Sequence, residues 1–398
     1  MRDQRRRPTR RTQELDADLT ADEPYEPPPP LAGAPAAIGE VLAGRWSVAE
    51  IRRGGQAWVL IVDDLERGQR RAIKTPLSTA LTGDAELAML LGLEPHPHTV
   101  TTLDVLELRG QLGIVFEYAP STLTDLIRRQ HGVHLAEILQ QVCDGMSHLS
   151  KRGTEVAHLD LKPSNVLVDD TGRAKVADFG LAQQVRIQGG RFSAARGGTW
   201  AYAAPEVLRQ EPCDLRADVF SFGVLLYEAC TGKLPYPFPL AADPNTQRAQ
   251  LLDYYASSGP RRRTEQLHSW GQSTMTEVPL PPPGKDISIC LSNCLQEYRE
   301  RRPESFWNLA VMLARSFRRP PVDATTVPLP AMDQQQRDLA LAQVLIRLGQ
   351  FTEAVNRLNR LLATPLPPEL VASVRDMAQQ ALTGAGRHAE AAALMDWR

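Results

Sequence analysis

From about Ile38 the hydrophobic and polar positions fall into short alternating runs. Residues 45–50, 57–63 and 69–74 are β-branched or alternate in polarity, and Gly-Gly and Glu-Arg-Gly separate them. A period of two with glycine punctuation predicts three antiparallel strands. Residues 82–93 read as a helix, and residues 103–108 and 112–117 as two further strands around Arg109-Gly110. Beyond Thr122 the apolar spacing lengthens to that of helices: Leu123, Leu126 and Ile127, then Leu135, Ile138, Leu139, Val142, Met146 and Leu149. Strands first and helices afterwards predict an α+β protein, a five-stranded antiparallel unit followed by a mainly helical one.

Other stretches depart from this pattern. Residues 1–37 are charged and then proline-rich (Pro27 to Pro30) with little to bury, so a disordered basic tail is expected. The main predicted domain covers residues 38–318. Inside it, residues 239–285 hold proline clusters and Arg261-Arg262-Arg263, with little apolar periodicity outside 251–255, which predicts an extended insertion. A proline-rich linker at 319–332 leads to a helical segment at 333–398. There Leu348-Gly349-Gln350-Phe351-Thr352-Glu353-Ala354 and Gly386-Arg387-His388-Ala389-Glu390-Ala391 look alike, thirty-seven positions apart. Both are similar to the turn and second-helix start of a tetratricopeptide repeat, with Gly for the tight turn and Ala for close helix contact; a plain helical extension is the alternative. Such a hairpin cannot cover its own apolar side, so this segment is expected to pack on the preceding domain or on another chain.

A chain of 398 residues is long enough for one large domain plus this appendage. The formal net charge of −2 gives no field to recruit nucleic acid or membrane, although Arg2, Arg5, Arg6, Arg7, Arg10 and Arg11 crowd the start. Five scattered cysteines form no disulfide or zinc framework. Cys290 and Cys294, one helical turn apart, read as small apolar residues on one helix face. The start carries acid and proline after its basic residues, unlike a signal peptide. The best apolar stretch, 219–230, contains Glu228 and is too short to span a bilayer. A cytoplasmic protein with no transmembrane segment and no nucleic-acid partner is expected.

The chemistry concentrates in two neighbouring motifs. Residues 158–165 read His-Leu-Asp-Leu-Lys-Pro-Ser-Asn, and Asp178-Phe179-Gly180 follows thirteen residues beyond Asn165. Upstream stand Arg71-Ala72-Ile73-Lys74 and Phe116-Glu117-Tyr118-Ala119. Downstream stand Gly198-Thr199-Trp200-Ala201-Tyr202-Ala203-Ala204-Pro205-Glu206, Asp218-Val219-Phe220-Ser221-Phe222-Gly223 and Arg301-Arg302-Pro303. In this order the chain resembles the protein kinases, specifically serine/threonine kinases of the bacterial (Hanks) type, over about residues 39–318.

The resemblance implies a two-lobed fold with ATP and Mg²⁺ (or Mn²⁺) as cofactors and protein hydroxyls as acceptors. It makes Asp160 the catalytic base, Lys162 the neutraliser of the transferring phosphate, and Asn165 and Asp178 the metal ligands. Lys74 would reach the α- and β-phosphates and pair with Glu86 on the following helix, with Glu94 a weaker partner. Backbone groups of Glu117 and Ala119 would hold adenine, with Phe116 as gatekeeper, and Val59 and Ala72 would complete the nucleotide pocket. Thr199 would bond Asp160 and Lys162, Glu206 would pair with Arg302, and Asp218 would brace the catalytic loop. His158 reads as a packed histidine bonded to backbone rather than an acid–base group.

The sequence leaves the family pattern at two places. In Arg52-Arg53-Gly54-Gly55-Gln56-Ala57-Trp58-Val59 only Gly54 matches the expected glycines; Gly55 adds freedom, while Arg52 and Ala57 replace the outer two. Leu159 stands where an arginine usually meets a phosphorylated activation loop, which implies activity independent of that switch, with Ser193 a candidate autophosphorylation site. The rival readings are a pseudokinase scaffold that binds partners through its C-terminal helices, and a small-molecule kinase. The peptide-docking segment 198–206 argues against the latter.

Overall fold

The computed structural model describes residues 33–55, 57–77, 82–129, 135–151, 156–180, 182–184, 192–193, 199–257, 259, 285–317 and 332–395. The first lobe is an antiparallel sheet of β1 (Val41–Leu42), β2 (Trp46–Arg53), β3 (Ala57–Asp64), β4 (Gln69–Pro76), β5 (Thr102–Leu108) and β6 (Gln111–Glu117). The order across it is β1-β2-β3-β4-β6-β5, so the expected five strands gain a sixth at one edge. That strand has two residues, Val41 opposite Ser47 and Leu42 opposite Trp46, too few to show a period.

Alternation along the strands divides the sheet into two faces. Trp46, Val48, Trp58, Leu60, Val62, Ile73 and Val115 bury one face in a common core. Ala34 and Ala36 belong to the same core, and Ala34 O accepts a hydrogen bond from Arg109 Nη1 at 2.8 Å. The end of the stretch expected as a disordered tail is therefore docked on the sheet. Both alanines are buried there, a docking that composition does not reveal. Residues 1–32 lie outside the described residues.

The second lobe is helical. After α1 (Thr82–Gly92) between β4 and β5, the chain forms α2 (Leu123–Arg128), α3 (Leu135–Leu149), α4 (Pro205–Arg209), α5 (Arg216–Thr231), α6 (Pro244–Ala256), α7 (Lys285–Cys294) and α8 (Phe306–Phe317). Helix α2 starts on a capping box in which Thr122 Oγ1 accepts from Asp125 N and the Asp125 carboxylate accepts from Thr122 N. Helix α5 is buried nearly all round and forms the lobe's axis. Helix α6 corrects an expectation, because it lies inside the stretch read as an extended insertion. Asp243 caps it by accepting from Thr246 N at 2.7 Å, Pro244 occupies its first turn, and Leu251 and Tyr255 are buried. Proline at a first helical position starts a helix rather than breaking it, and that signal was hidden among the other prolines. The remainder of that stretch, residues 258 and 260–284, lies outside the described residues, as do residues 319–331 of the linker.

The last segment folds into α9 (Gln334–Arg347), α10 (Phe351–Leu362), α11 (Pro368–Gly384) and α12 (His388–Met395). Its two look-alike motifs form the same turn. Gly349 and Gly386 both have positive φ, 71° and 74°. Gly349 N bonds Ile346 O and Gln350 N bonds Leu345 O; Gly386 N bonds Thr383 O and Arg387 N bonds Leu382 O, at identical offsets. This double bond pattern closes a helix only around a left-handed residue, hence the glycines. Ala354 and Ala391, at matching places in the following helices, are both buried. Helix α9 packs along α1, and one apolar core runs from α1 through α3, α5 and α7 into α9–α12. Among the described residues no helix is long and apolar enough to cross a membrane.

Candidate active site

The site grows from a short hairpin, β7 (Val166–Val168) and β8 (Ala174–Val176), whose antiparallel register joins Val166 to Val176. Ala177 N bonds Asn165 O at 2.9 Å, so the hairpin sets Asn165 and Asp178 side by side at its open end. The loop before it is fixed from below. Asp218, in the first turn of α5, accepts from His158 N at 2.7 Å and from Leu159 N at 2.8 Å. Burial pushes the Asp218 carboxyl above the usual carboxylate range, and His158 and the two N–H bonds pull it back. The buried His158 ring bonds Ala177 O through Nε2 at 2.9 Å and accepts from Asp160 N through Nδ1 at 3.3 Å. Both contacts are to backbone, as expected for a packed histidine. Leu159 is held at φ 63°, an uncommon conformation for a bulky residue, and its side chain packs with the core around Ala157, Ala201 and Ala204.

These braces present a compact polar group. Lys162 Nζ donates to Asp160 Oδ2 at 2.7 Å and to Thr199 Oγ1 at 2.8 Å, and Thr199 N lies 3.2 Å from Asp160 Oδ1. Asn165 Nδ2 donates to Asp160 O at 2.9 Å and to Asp160 Oδ2 at 3.1 Å. Thr199 thus arrives from a distant part of the chain and joins Asp160 and Lys162 as the motifs imply.

The sheet lobe closes the site from above. Lys74 pairs with Val59 on β3 and with Ile114 on β6, and Ala72 pairs with Phe116. Val59, Ala72 and Lys74 therefore share the face opposite the buried core, together with Arg52, which pairs with Val59. Lys74 Nζ crosses to Asp178 Oδ1 at 2.9 Å. Partial burial opposes ionisation of Asp178, but the charge and hydrogen bond of Lys74, with His158 and Lys162 behind it, hold its carboxyl below the usual range. The open side of the cleft, which leaves the Asp178 side chain 45% exposed, keeps the burial penalty from winning. Glu86 lies on α1, and its side chain lies outside the described residues. Glu117 ends β6, with Ala119 two residues further along the crossing between the lobes.

Gly54 and Gly55 follow β2 on the way to β3, and Gln56 between them and β3 lies outside the described residues. Gly54 N bonds Ala57 O at 2.8 Å, and a Cβ on Gly54 would meet that same oxygen at 3.0 Å. A side chain at Gly54 would crowd the Ala57 carbonyl, whereas Gly55 faces open space. Arg52 is engaged in a bidentate pair with Glu50 at 2.7 and 2.9 Å.

Below the site, Arg302 and Glu206 meet in a buried fork, Nη1 to Oε1 at 2.6 Å and Nη2 to Oε2 at 2.8 Å. Arg302 also donates to the carbonyls of Gln296, Glu297 and Arg216, which matches each of its N–H groups with an acceptor. One residue near the site was not singled out beforehand. Lys175, in the apolar run Ala174-Lys175-Val176, is buried and bonds Glu117 Oε1 and Pro97 O, both at 3.1 Å. A lysine inside a buried strand was the available signal, because such a charge survives only when paired.

The donor set suits a hard cation. Asn165 uses its amide nitrogen on Asp160, so Oδ1, 3.5 Å from Ser164 Oγ, retains a lone pair for a cation, and Asp178 supplies carboxylate oxygens beside it. Among the described residues no three His, Cys, Asp or Glu side chains gather to hold a metal, so two protein oxygens would share it with phosphate and water.

The family model described as Protein kinase domain matches residues 48–312. The chain belongs to that family, and its α+β, two-lobed architecture is the protein kinase fold. It is similar to Serine/threonine-protein kinase STY46 of Arabidopsis thaliana, 39% identical over 154 residues, which are 37% of this chain and 26% of the relative. It is 36% identical over 224 residues to CBL-interacting protein kinase 4 of Oryza sativa subsp. japonica, covering 52% of this chain and 48% of that protein. Probable serine/threonine-protein kinase PknB of Lactococcus lactis subsp. lactis is 31% identical over 211 residues, 50% of this chain and 33% of the relative. The chain thus spans half or less of the length of each of these relatives.

Proposed function

We propose that the chain is an ATP-dependent serine/threonine protein kinase that transfers the γ-phosphoryl group to Ser or Thr hydroxyls of protein substrates. The observation that carries this reading is the convergence of Asp160, Lys162, Asn165, Thr199, Lys74 and Asp178 through direct bonds, from segments far apart in sequence. The acceptor oxygen attacks the γ-phosphorus, the bond to the β–γ bridging oxygen breaks, and ADP leaves. Asp160 takes the hydroxyl proton. Lys162, bonded to both Asp160 and Thr199, faces the charge that spreads over the transferring group. Lys74 holds the α- and β-phosphates from the sheet side, and Val59 and Ala72 line the adenine pocket, whose polar edge meets the backbone of Glu117 and Ala119. Magnesium, or manganese in its place, would sit at Asn165 and Asp178 and neutralise phosphate charge when bound.

The C-terminal helices, with their repeated glycine turn, support a tetratricopeptide-like segment that selects partners or substrates, within cytoplasmic signalling of bacterial type. Leu159 carries no charge for a phosphorylated loop, so activity is independent of that switch. A pseudokinase scaffold draws support from two features, the arginine and alanine in place of two phosphate-facing glycines, and Leu159 in place of the usual arginine. Radiolabelled ATP with purified full-length protein separates the readings. Wild type should label a substrate or itself while Asp160→Ala and Lys74→Ala fall to background. Equal background in all three would leave the scaffold. In the same assay Ser193→Ala should retain activity, and its near-total loss would refute independence from the loop switch.

A further inference from the structure

We infer that the C-terminal helices are a working part of the catalytic unit: α9 braces α1, and Arg337 is a positioning residue for the Lys74 site. The inference rests on the kinase reading above, because its consequence is felt through α1, the helix that carries Glu86.

The first observation is the composition of α1. Residues 87–91 are Leu-Ala-Met-Leu-Leu, apolar around more than half of the helix circumference, and such a helix needs partners on more than one side. The sheet supplies one side through β6, and α9 supplies another. Leu87, Leu90 and Leu91 are 1%, 5% and 2% exposed in the core they share with Leu341 and Val344. Leu341 and Val344 follow Arg337 at helical spacing, so all three lie on one stripe of α9.

The second observation is polar and independent of the first. Arg337 Nη1 donates to Leu93 O at 3.2 Å, just past the end of α1, and lies 3.9 Å from Glu94 Oε2. The last carbonyls of a helix lack partners within it and carry partial negative charge, so a guanidinium there both satisfies and neutralises them. The position is unusual for its own helix. Asp333 and Gln336 form the capping box that starts α9, which places Arg337 in the first turn, where a cation opposes the dipole. Its placement makes sense toward α1. From the other side His148 Nε2 meets Glu94 O at 3.0 Å, so the end of α1 is held by α3 and α9 together.

The test uses the full chain with Arg337→Ala, Arg337→Lys and Leu341→Arg, and Arg387→Ala as a control in an exposed pair with Glu390 at the far end of the segment. Two quantities are read: kcat and KM for phosphotransfer, and amide hydrogen exchange across residues 87–92. Arg337→Ala and Leu341→Arg should speed exchange in α1 and lower kcat by between about two- and thirty-fold, with KM for protein substrate little changed. Arg337→Lys should recover part of both, and Arg387→Ala should match wild type. Variants that loosen α9 while α1 exchange and kcat stay at wild-type values would overturn the inference. Exchange is read without turnover, so an inactive wild type would sink the kinase reading while α1 protection still decides the brace.

Discussion

The Arg302 cluster below the cleft and the glycine turn above it hold their charges in opposite ways. Arg302 is buried, paired in a fork with Glu206, and matched at each N–H group. Arg52, beside the turn, also makes a fork, with Glu50, but both side chains are half exposed. An exposed pair contributes roughly 0–1 kcal/mol, whereas removing one partner of a buried pair costs roughly 3–5 kcal/mol. The lobe that presents Asp160, Asn165 and Thr199 is thus fixed by buried bonds, and the lobe proposed to cover the phosphates ends in a solvent-facing hairpin. On the proposed function, missing glycines would be tolerable, because the sheet face of Val59, Ala72 and Lys74 would do the holding.

Arg302→Ala should break the comparison most severely. It strands the Glu206 carboxylate and should lower unfolding free energy by roughly 3–5 kcal/mol in urea melts. Adding Glu206→Gln should restore part of that loss; a loss below about 1 kcal/mol would put the cluster on a par with the exposed pair. A smaller and more local change is expected at the link between the lobes. The Asp178 carboxyl titrates below its ordinary value of 3.8, so the Lys74 bond is complete above that value and is lost as pH falls through the depressed one. Lys74→Met should move the Asp178 titration upward, as followed by carboxyl carbon shifts in metal-free protein. An unmoved curve would mean that Lys74 does not set it. The gentlest change is Ala57→Gly, which restores one family glycine at the start of β3. It should cost roughly 0.5–1 kcal/mol of stability from added chain freedom, while lowering KM for ATP. An unchanged KM would show that the Ala57 methyl does not obstruct the phosphates.

Much of the site was legible because its chemistry dictates residue types at set intervals. Asn165 and Asp178 are spaced by the hairpin that brings them together, with Asp160 in the loop before it, and the family resemblance matched Glu206 with Arg302 across 96 residues. The strands were legible from their period. What stayed hidden depends on the third dimension or on too few residues. Strand β1 is too short to alternate, α6 begins on a proline that resembles a breaker, and Ala34 with Ala36 sit in a stretch of tail-like composition whose docking on the sheet no period announces. The bond from Lys175 to Glu117 and the docking of α9 on α1 belong to this group. An apolar helix face announces that it will be covered but does not name the cover.

The twin turns at Gly349 and Gly386 carry a consequence for how this chain could grow. Each hairpin carries the same left-handed stop and the same buried alanine, the joints expected if the segment is a stack of nearest-neighbour repeats. Helix α9 is the part of the segment that packs on α1, and α12 is the last of its described helices. Further copies of the hairpin could be appended beyond α12 without disturbing the first joint. A segment built in that way would be a ruler whose zero mark is fixed at α1.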